Sequence, residues 1–298
     1  MLIDRIVPLS YIFKKVRFEI LYVILIGLFI QFLKVRLNVF IPEIELSMPV
    51  FLGTAISILL SFKMSQSYDR WWEARKVWGA IVNDSRTFII QLQTFLILDN
   101  IENKIKIMGF RQIAWCYSLG QALRGLDPLA NLKPFLSNSD LQNLVNHHNK
   151  PLGIIQMNGL QIRELKKNNE IDGFTHLQLD NTLKRLVDSM GRAERINSTV
   201  FPTTYRLFLH FTIYLFVIVL SMALSDIPIY YEIPLLVLLS MVFFLLEKTA
   251  RHLQDPFRNR PSDIPVTAIA RTIEINIKQL LNEKDVPKPL EPEDFYLM

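Results

Sequence analysis

The sequence predicts an all-α membrane protein with four transmembrane helices and a helical cytosolic domain. Three observations carry this. Four stretches of the 298-residue chain are apolar enough to enter a bilayer. The rest shows helical spacing with almost no strand pattern. Lys and Arg cluster on one side of the apolar stretches. Half of the residues are hydrophobic and 20% are charged, more apolar than an ordinary soluble domain and too charged for a chain lying wholly in lipid. The single cysteine, Cys116, excludes an internal disulfide framework and a Cys-rich zinc site. A net charge of +5 fits basic membrane flanks better than nucleic-acid binding.

The first apolar stretch covers residues 18–33. It ends at Gln31, Phe32, Leu33 and Lys34 with no small-x-small cleavage site, so it is read as a retained span rather than a signal peptide. The second covers 48–62, the third 207–224 and the fourth 233–246. A helix needs about 20 mostly apolar residues to cross a bilayer, so the shorter ones recruit flanking Tyr22, Lys63 or Lys248 at the interface. The loop between the third and fourth, SDIPIYYE, has no Lys or Arg. Arg5, Lys14, Lys15, Arg70, Arg75, Arg195, Arg206, Lys248 and Arg251 stand at the other ends. Both termini are therefore expected in the cytoplasm. Pro42 and Pro49, and Pro228 and Pro234, are expected to keep the two outer loops short.

This gives 1–66 as an N-terminal segment with helices 1 and 2, 67–205 as the cytosolic domain, 206–249 as helices 3 and 4, and 250–298 as a cytosolic helix and tail. No proline falls between Met64 and Leu98, and Trp71, Ala74, Val77, Trp78 and Ile81 recur at helical spacing, so span two is expected to continue outward as one long helix. Further helices are predicted over 102–123, 139–147, 153–167, 172–197 and 264–281. The Pro-rich tail reads as extended, either disordered or laid over a neighbour.

Enzyme signatures are missing: no Walker loop, G-x-G-x-x-G, H-E-x-x-H or G-x-S-x-G occurs. His147 and His148 point about 100° apart on a helix and have no third ligand nearby. His210, inside the third span, faces either a cavity or partner or a backbone carbonyl. Thr54, Ile58 and Phe62 share one face of span two, with Gly53, Ser57 and Ser61 beside them. This face is either pore lining or a packing stripe.

The run Tyr68–Asp69–Arg70–Trp71–Trp72–Glu73–Ala74–Arg75–Lys76–Val77–Trp78–Gly79 resembles the membrane-exit motif of prokaryotic bestrophins. Glu194–Arg195–Ile196 with Thr199–Val200–Phe201–Pro202, then Asp255–Pro256–Phe257, then Ala268–Ile269–Ala270–Arg271–Thr272–Ile273–Glu274–Ile275, resemble further segments of that family in the family's order. The resemblance implies a homopentamer around one axial pore lined by the second spans. It implies passive conduction of small monovalent ions without a cofactor, in a bacterial inner membrane. Eukaryotic members are chloride channels switched by calcium; some bacterial members prefer cations. Matching the Arg-Trp motif places the pore neck at Thr54, Ile58 and Phe62, the outermost being polar. Ile171 or Phe174 is the matching candidate for a cytosolic constriction. Where eukaryotic members carry an acidic calcium clasp, this chain has Arg258–Asn259–Arg260, so no clasp is expected. Partners are then other copies of the chain, lipid and permeant ions, with no nucleic acid. The competing reading is a membrane scaffold or regulator whose cytosolic helices bind a partner. A secondary transporter ranks third, since it would want discontinuous helices and more spans.

Overall fold

The computed structural model describes residues 1, 7–36, 44–96, 102–224 and 226–297. Pro42, Glu43 and Arg5 lie outside these. Nine helices occur among the described residues: α1 Leu9–Arg36, α2 Ser47–Phe95, α3 Glu102–Leu123, α4 Asn138–Val145, α5 Lys150–Lys167, α6 Gly173–Ser198, α7 Thr203–Ala223, α8 Ile229–Gln254 and α9 Val266–Leu280. The chain divides into two compact units, one holding 7–70 and Val200–Gln254, the other Trp71–Thr199 and 255–297.

The first is the membrane unit, built from α1, the first half of α2, α7 and α8. All four helices are long and apolar enough to cross a bilayer. α1 lies along α8, and α7 packs against both. Gly27 makes the first approach close. A Cβ there would come within 2.5 Å of Ile233 Cδ1 and 3.1 Å of a Leu236 methyl, so a larger residue would have to displace these side-chain ends. The unit's interior holds Val23, Ile56, Leu60, Ile213, Val217, Leu236 and Phe244.

Two of the four prolines expected in loops are helical. Pro49 lies in the first turn of α2, where a missing N–H leaves no bond unmade. Pro234 lies inside α8, near enough to its start that the lost bond falls in the second turn. The α7–α8 connection is correspondingly shorter, and of these prolines Pro228 alone remains in it.

The 49 residues of α2 are unbroken. At 1.5 Å per residue the helix is about 74 Å long, against about 30 Å of hydrocarbon. More than half of it must stand outside the membrane, as the absence of an internal proline predicts.

The second unit is an extramembrane helical domain. α3 packs against α5, α6 and α9, and α4 closes against α5. Trp78, Ile81 and Phe88 of α2 join Met108, Ile113 and Trp115 of α3, Leu165 of α5, Leu186 of α6 and Ile273 of α9 in one core. Side-chain caps start three helices. Ser137 Oγ accepts from Asp140 N at 3.1 Å, Asn149 Oδ1 from Leu152 N at 3.1 Å and Asp172 Oδ1 from Thr175 N at 2.7 Å. The tail has no regular element over 284–292, then an isolated Glu293–Tyr296 bridge. Leu297 N donates to Met1 O at 2.9 Å.

Candidate pore helix and the charges behind it

Within the membrane unit α2 has two sharply different faces. Ile56, Leu60, Lys63 and Ser67 are buried, at spacings of four, three and four, which is one stripe of a helix. Thr54, Ile58, Ser61 and Ser65 are exposed; at about 100° per residue they lie roughly opposite that stripe. Ile58 is 54% exposed, Phe62 64% and Phe51 73%. An apolar face pointing away from its own chain has three possible neighbours: lipid, another copy, or the wall of a pore.

The small residues predicted beside this face divide. Gly53 faces its own unit: a Cβ there would stand 3.4 Å from the Phe216 ring and 3.7 Å from that of Phe243. Ser57 and Ser61 are exposed. Ser57 Oγ donates to Gly53 O at 2.8 Å, and Thr54 Oγ1 to Val50 O at 2.9 Å. Both hydroxyl protons are spent on the preceding turn. The outward surface of Thr54 is thus less polar than its residue type implies.

Lys63, read from sequence as an interface flank, is not at the surface. It is 1% exposed, and its Nζ donates to Glu247 Oε1 at 2.8 Å, neither side chain having accessible surface. A buried ammonium must be paired, and α8 supplies the partner. His210 of α7 stands on the other side of the same carboxylate, its Nε2 3.2 Å from Oε2 but off the line of a hydrogen bond. The alternatives for His210 therefore resolve towards a charged side-chain partner. Tyr205 Oη adds a tie from α7, donating to Leu59 O at 2.8 Å. Lys248, a further predicted flank, pairs with Glu19 of α1 at 2.5 Å. Near the opposite end of α8, Glu232 is fully buried and accepts from Ser221 Oγ at 2.7 Å and from Gln31 Nε2. Helical spacing alone does not single out Glu19, Glu232 and Glu247. Their signal was present: an acid within or bordering an apolar stretch requires a partner.

The two candidates for a cytosolic constriction separate clearly. Ile171 is 7% exposed and sits in the domain core, so its side chain is committed to packing inside its own chain. Phe174, in the first turn of α6, is 81% exposed. The expectation narrows to Phe174.

In the family-like motif, Trp71 packs on the domain core and its ring stacks with Trp72 at 6.4 Å. Glu73 pairs with Lys76 at 2.7 Å, Arg70 is half-buried, and an Arg75 guanidinium nitrogen lies 3.8 Å from the Cβ position of Gly79. Asp255, Pro256 and Phe257 begin a tight turn. Phe257 fills the core at 1% exposure, and Pro256 O accepts from Ile264 N at 3.1 Å. Asp263 Oδ2 accepts from Arg260 N at 3.1 Å, and burial pushes that carboxyl above its usual range. Asp255 and Asp263 are the only carboxylates in this turn, which also carries Arg258 and Arg260. Calcium wants six or more oxygens, several of them anionic, so this donor set does not fit it. Among the described residues no three His, Cys, Asp or Glu side chains gather as a metal site.

A family model described as Bacterial/Fungal Bestrophin protein matches residues 6–279. A protein of Salmonella typhi named voltage-dependent anion channel-forming protein YneE is 32% identical over 247 residues, covering 82% of this chain and 80% of that one. The protein of that name from Escherichia coli O157:H7 is 31% identical over 246 residues, with the same coverage. The crystal structure of a bacterial bestrophin homologue from Klebsiella pneumoniae superposes with a TM-score of 0.81 at 28% identity, covering 91% of this chain and 100% of that one. Motif order, the long second helix and a match over nearly the whole length agree: the chain belongs to the bacterial/fungal bestrophin family.

Proposed function

We propose that the protein is a passive channel for small monovalent ions, formed by five copies whose α2 helices surround one axial pore. The observation that carries this is the outward apolar face of α2. Thr54, Ile58 and Phe62 project away from the chain's own interior, on a helix whose other side is fixed by buried contacts. A membrane unit of four helices offers no conduit of its own, so a pore needs several copies closed in a ring. Five copies of Ile58 and Phe62 would form a short apolar neck, which gates by dewetting because water gains few hydrogen bonds there. Phe174 is the proposed second constriction. The related proteins' names favour anions as the permeant species.

The proposed setting is a bacterial inner membrane, with the basic ends of the spans and both termini on the cytoplasmic side. No cofactor is assigned, and calcium is not a switch, since the 255–263 turn offers a basic rather than an acidic donor set.

The test is purified protein in liposomes with paired native mass spectrometry. The expected result is a pentamer that passes chloride or another monovalent ion equally in chelator and in micromolar calcium. A monomer without flux would overturn the channel reading and favour a scaffold.

A further inference from the structure

The two faces of α2 in the membrane unit pose a physical problem. The buried stripe contains Ile56 and Leu60; the outward face contains Phe51, Ile58 and Phe62. Both are apolar. In water, burial would choose between them. In a bilayer, lipid, a neighbouring helix and the unit's own core are all apolar, so hydrophobicity scarcely distinguishes one rotation of the helix from another. What remains is the anchoring of the far half of the same helix in the extramembrane core, through Trp78, Ile81 and Phe88, and, within the membrane unit, polar contacts.

We propose that the buried Lys63–Glu247 pair sets the rotation of α2 about its own axis, and thereby which side chains face the pore. The inference rests on the neck reading above. Lys63 follows Phe62 directly, about 100° round the helix. Its Nζ is held 2.8 Å from Glu247 Oε1, with both side chains fully enclosed. Turning α2 by one residue would carry the ammonium out of reach of α8 and leave Glu247 unpaired inside the unit. His210, 3.2 Å from the second carboxylate oxygen, brings α7 to the same point, and Tyr205 bonded to Leu59 O steadies the preceding turn. A buried pair of this kind adds little net stability over a well-packed apolar replacement. What it adds is a single allowed arrangement. Lys63 and Glu247 are thus positioning residues for the neck.

Rotation can be read by the reactivity of introduced cysteines. Cys116, the one native cysteine, is fully buried with its thiol pKa pushed up to about 12, so it contributes little background. Ile58→Cys and Ile56→Cys are made separately in the full-length protein and reconstituted. Block of flux by small methanethiosulfonate reagents of both charge signs is timed. In the otherwise unaltered channel, block is expected about tenfold or more faster at 58 than at 56, because one thiol meets water and the other is buried. In the Lys63→Met/Glu247→Met background, which leaves no unpaired charge, the ratio should collapse towards one while the oligomer persists. Lys63→Arg should retain the contrast.

A full contrast in an assembled Met/Met channel overturns the inference and leaves the neck reading standing. No contrast in the unaltered channel overturns the neck reading and this inference with it. If the Met/Met protein does not assemble, Lys63→Leu/Glu247→Met takes its place. That pair likewise makes no polar contact between α2 and α8, and a full contrast there also overturns the inference.

Discussion

In the extramembrane unit the largest enclosed side chains include Trp78, Trp115, Phe88 and Phe257, while its ion pairs, such as Arg185–Asp84, stand partly in solvent. In the membrane unit Lys63, Glu247 and Glu232 are enclosed alongside Phe244, and Phe18, Phe29, Phe51 and Phe62 face outward. The same chain follows opposite rules because the surroundings differ. Water selects apolar interiors; lipid removes that selection, leaving charge pairing to specify how the helices meet. α2 serves both units: its extramembrane half is held by packing of Trp78, Ile81 and Phe88 together with the half-exposed Arg185–Asp84 pair, its membrane half by the enclosed Lys63–Glu247 pair.

The largest expected effect sets like against like. Glu247→Leu leaves the Lys63 ammonium enclosed without its partner, and should cost about 3–5 kcal/mol, read as loss of folded oligomer in thermal size-exclusion assays. Arg185→Ala breaks a pair whose arginine is 49% exposed, and should cost no more than about 1 kcal/mol. Equal losses would dissolve the comparison.

Truncations sharpen it from the apolar side. Leu119, fully buried in the domain core, should lose about 2–5 kcal/mol on conversion to alanine. Phe29→Ala removes a larger side chain that is 60% exposed in the membrane unit, and should change stability by about 0.5 kcal/mol or less if that face meets lipid. A large Phe29 effect would mean that this face is covered by another copy.

The smallest effect is alkaline. Burial raises the Cys116 thiol from 9.0 to about 12, and burial with a bond to Glu274 raises the Tyr117 phenol too. A folded-state pKa above the unfolded value means that the stabilising contribution is complete below pH 9 and declines above it, as the unfolded chain releases its proton. Cys116 alone should remove about 1 kcal/mol on going from pH 9 to pH 10. Cys116→Ala should flatten that part of the pH profile of the domain's unfolding; an unchanged slope would contradict the assignment.

Much of the fold is legible from local pattern. The predicted helix over 102–123 coincides with α3 because charged Glu102 and Lys104 precede an uninterrupted helical run ending before Gly125. The continuity of α2 follows from the missing proline. In the extramembrane unit Leu179, Leu183, Leu186 and Met190 could be read as one buried stripe because water makes the other face polar. The membrane unit resists such reading. Nothing in residues 48–62 distinguishes Ile56, which is enclosed, from Ile58, which is exposed. The Lys63–Glu247 contact joins residues 184 apart, beyond any helical spacing. Ile171 illustrates the same limit: residues flanking a helix start look alike in sequence, whether they turn into the core or out of it.

The central claim is that the exposed face of α2 lines a pore, and Phe62→Ala tests it most directly. Removing the ring widens the apolar neck without opening a cavity in any chain's own core, since Phe62 is 64% exposed. Ion flux in liposomes and oligomer mass are measured on the same preparation. An intact pentamer with greater flux is expected. A pentamer with unchanged flux, or a loss of assembly without any gain in flux, would contradict it and assign this face to packing between neighbours or to lipid.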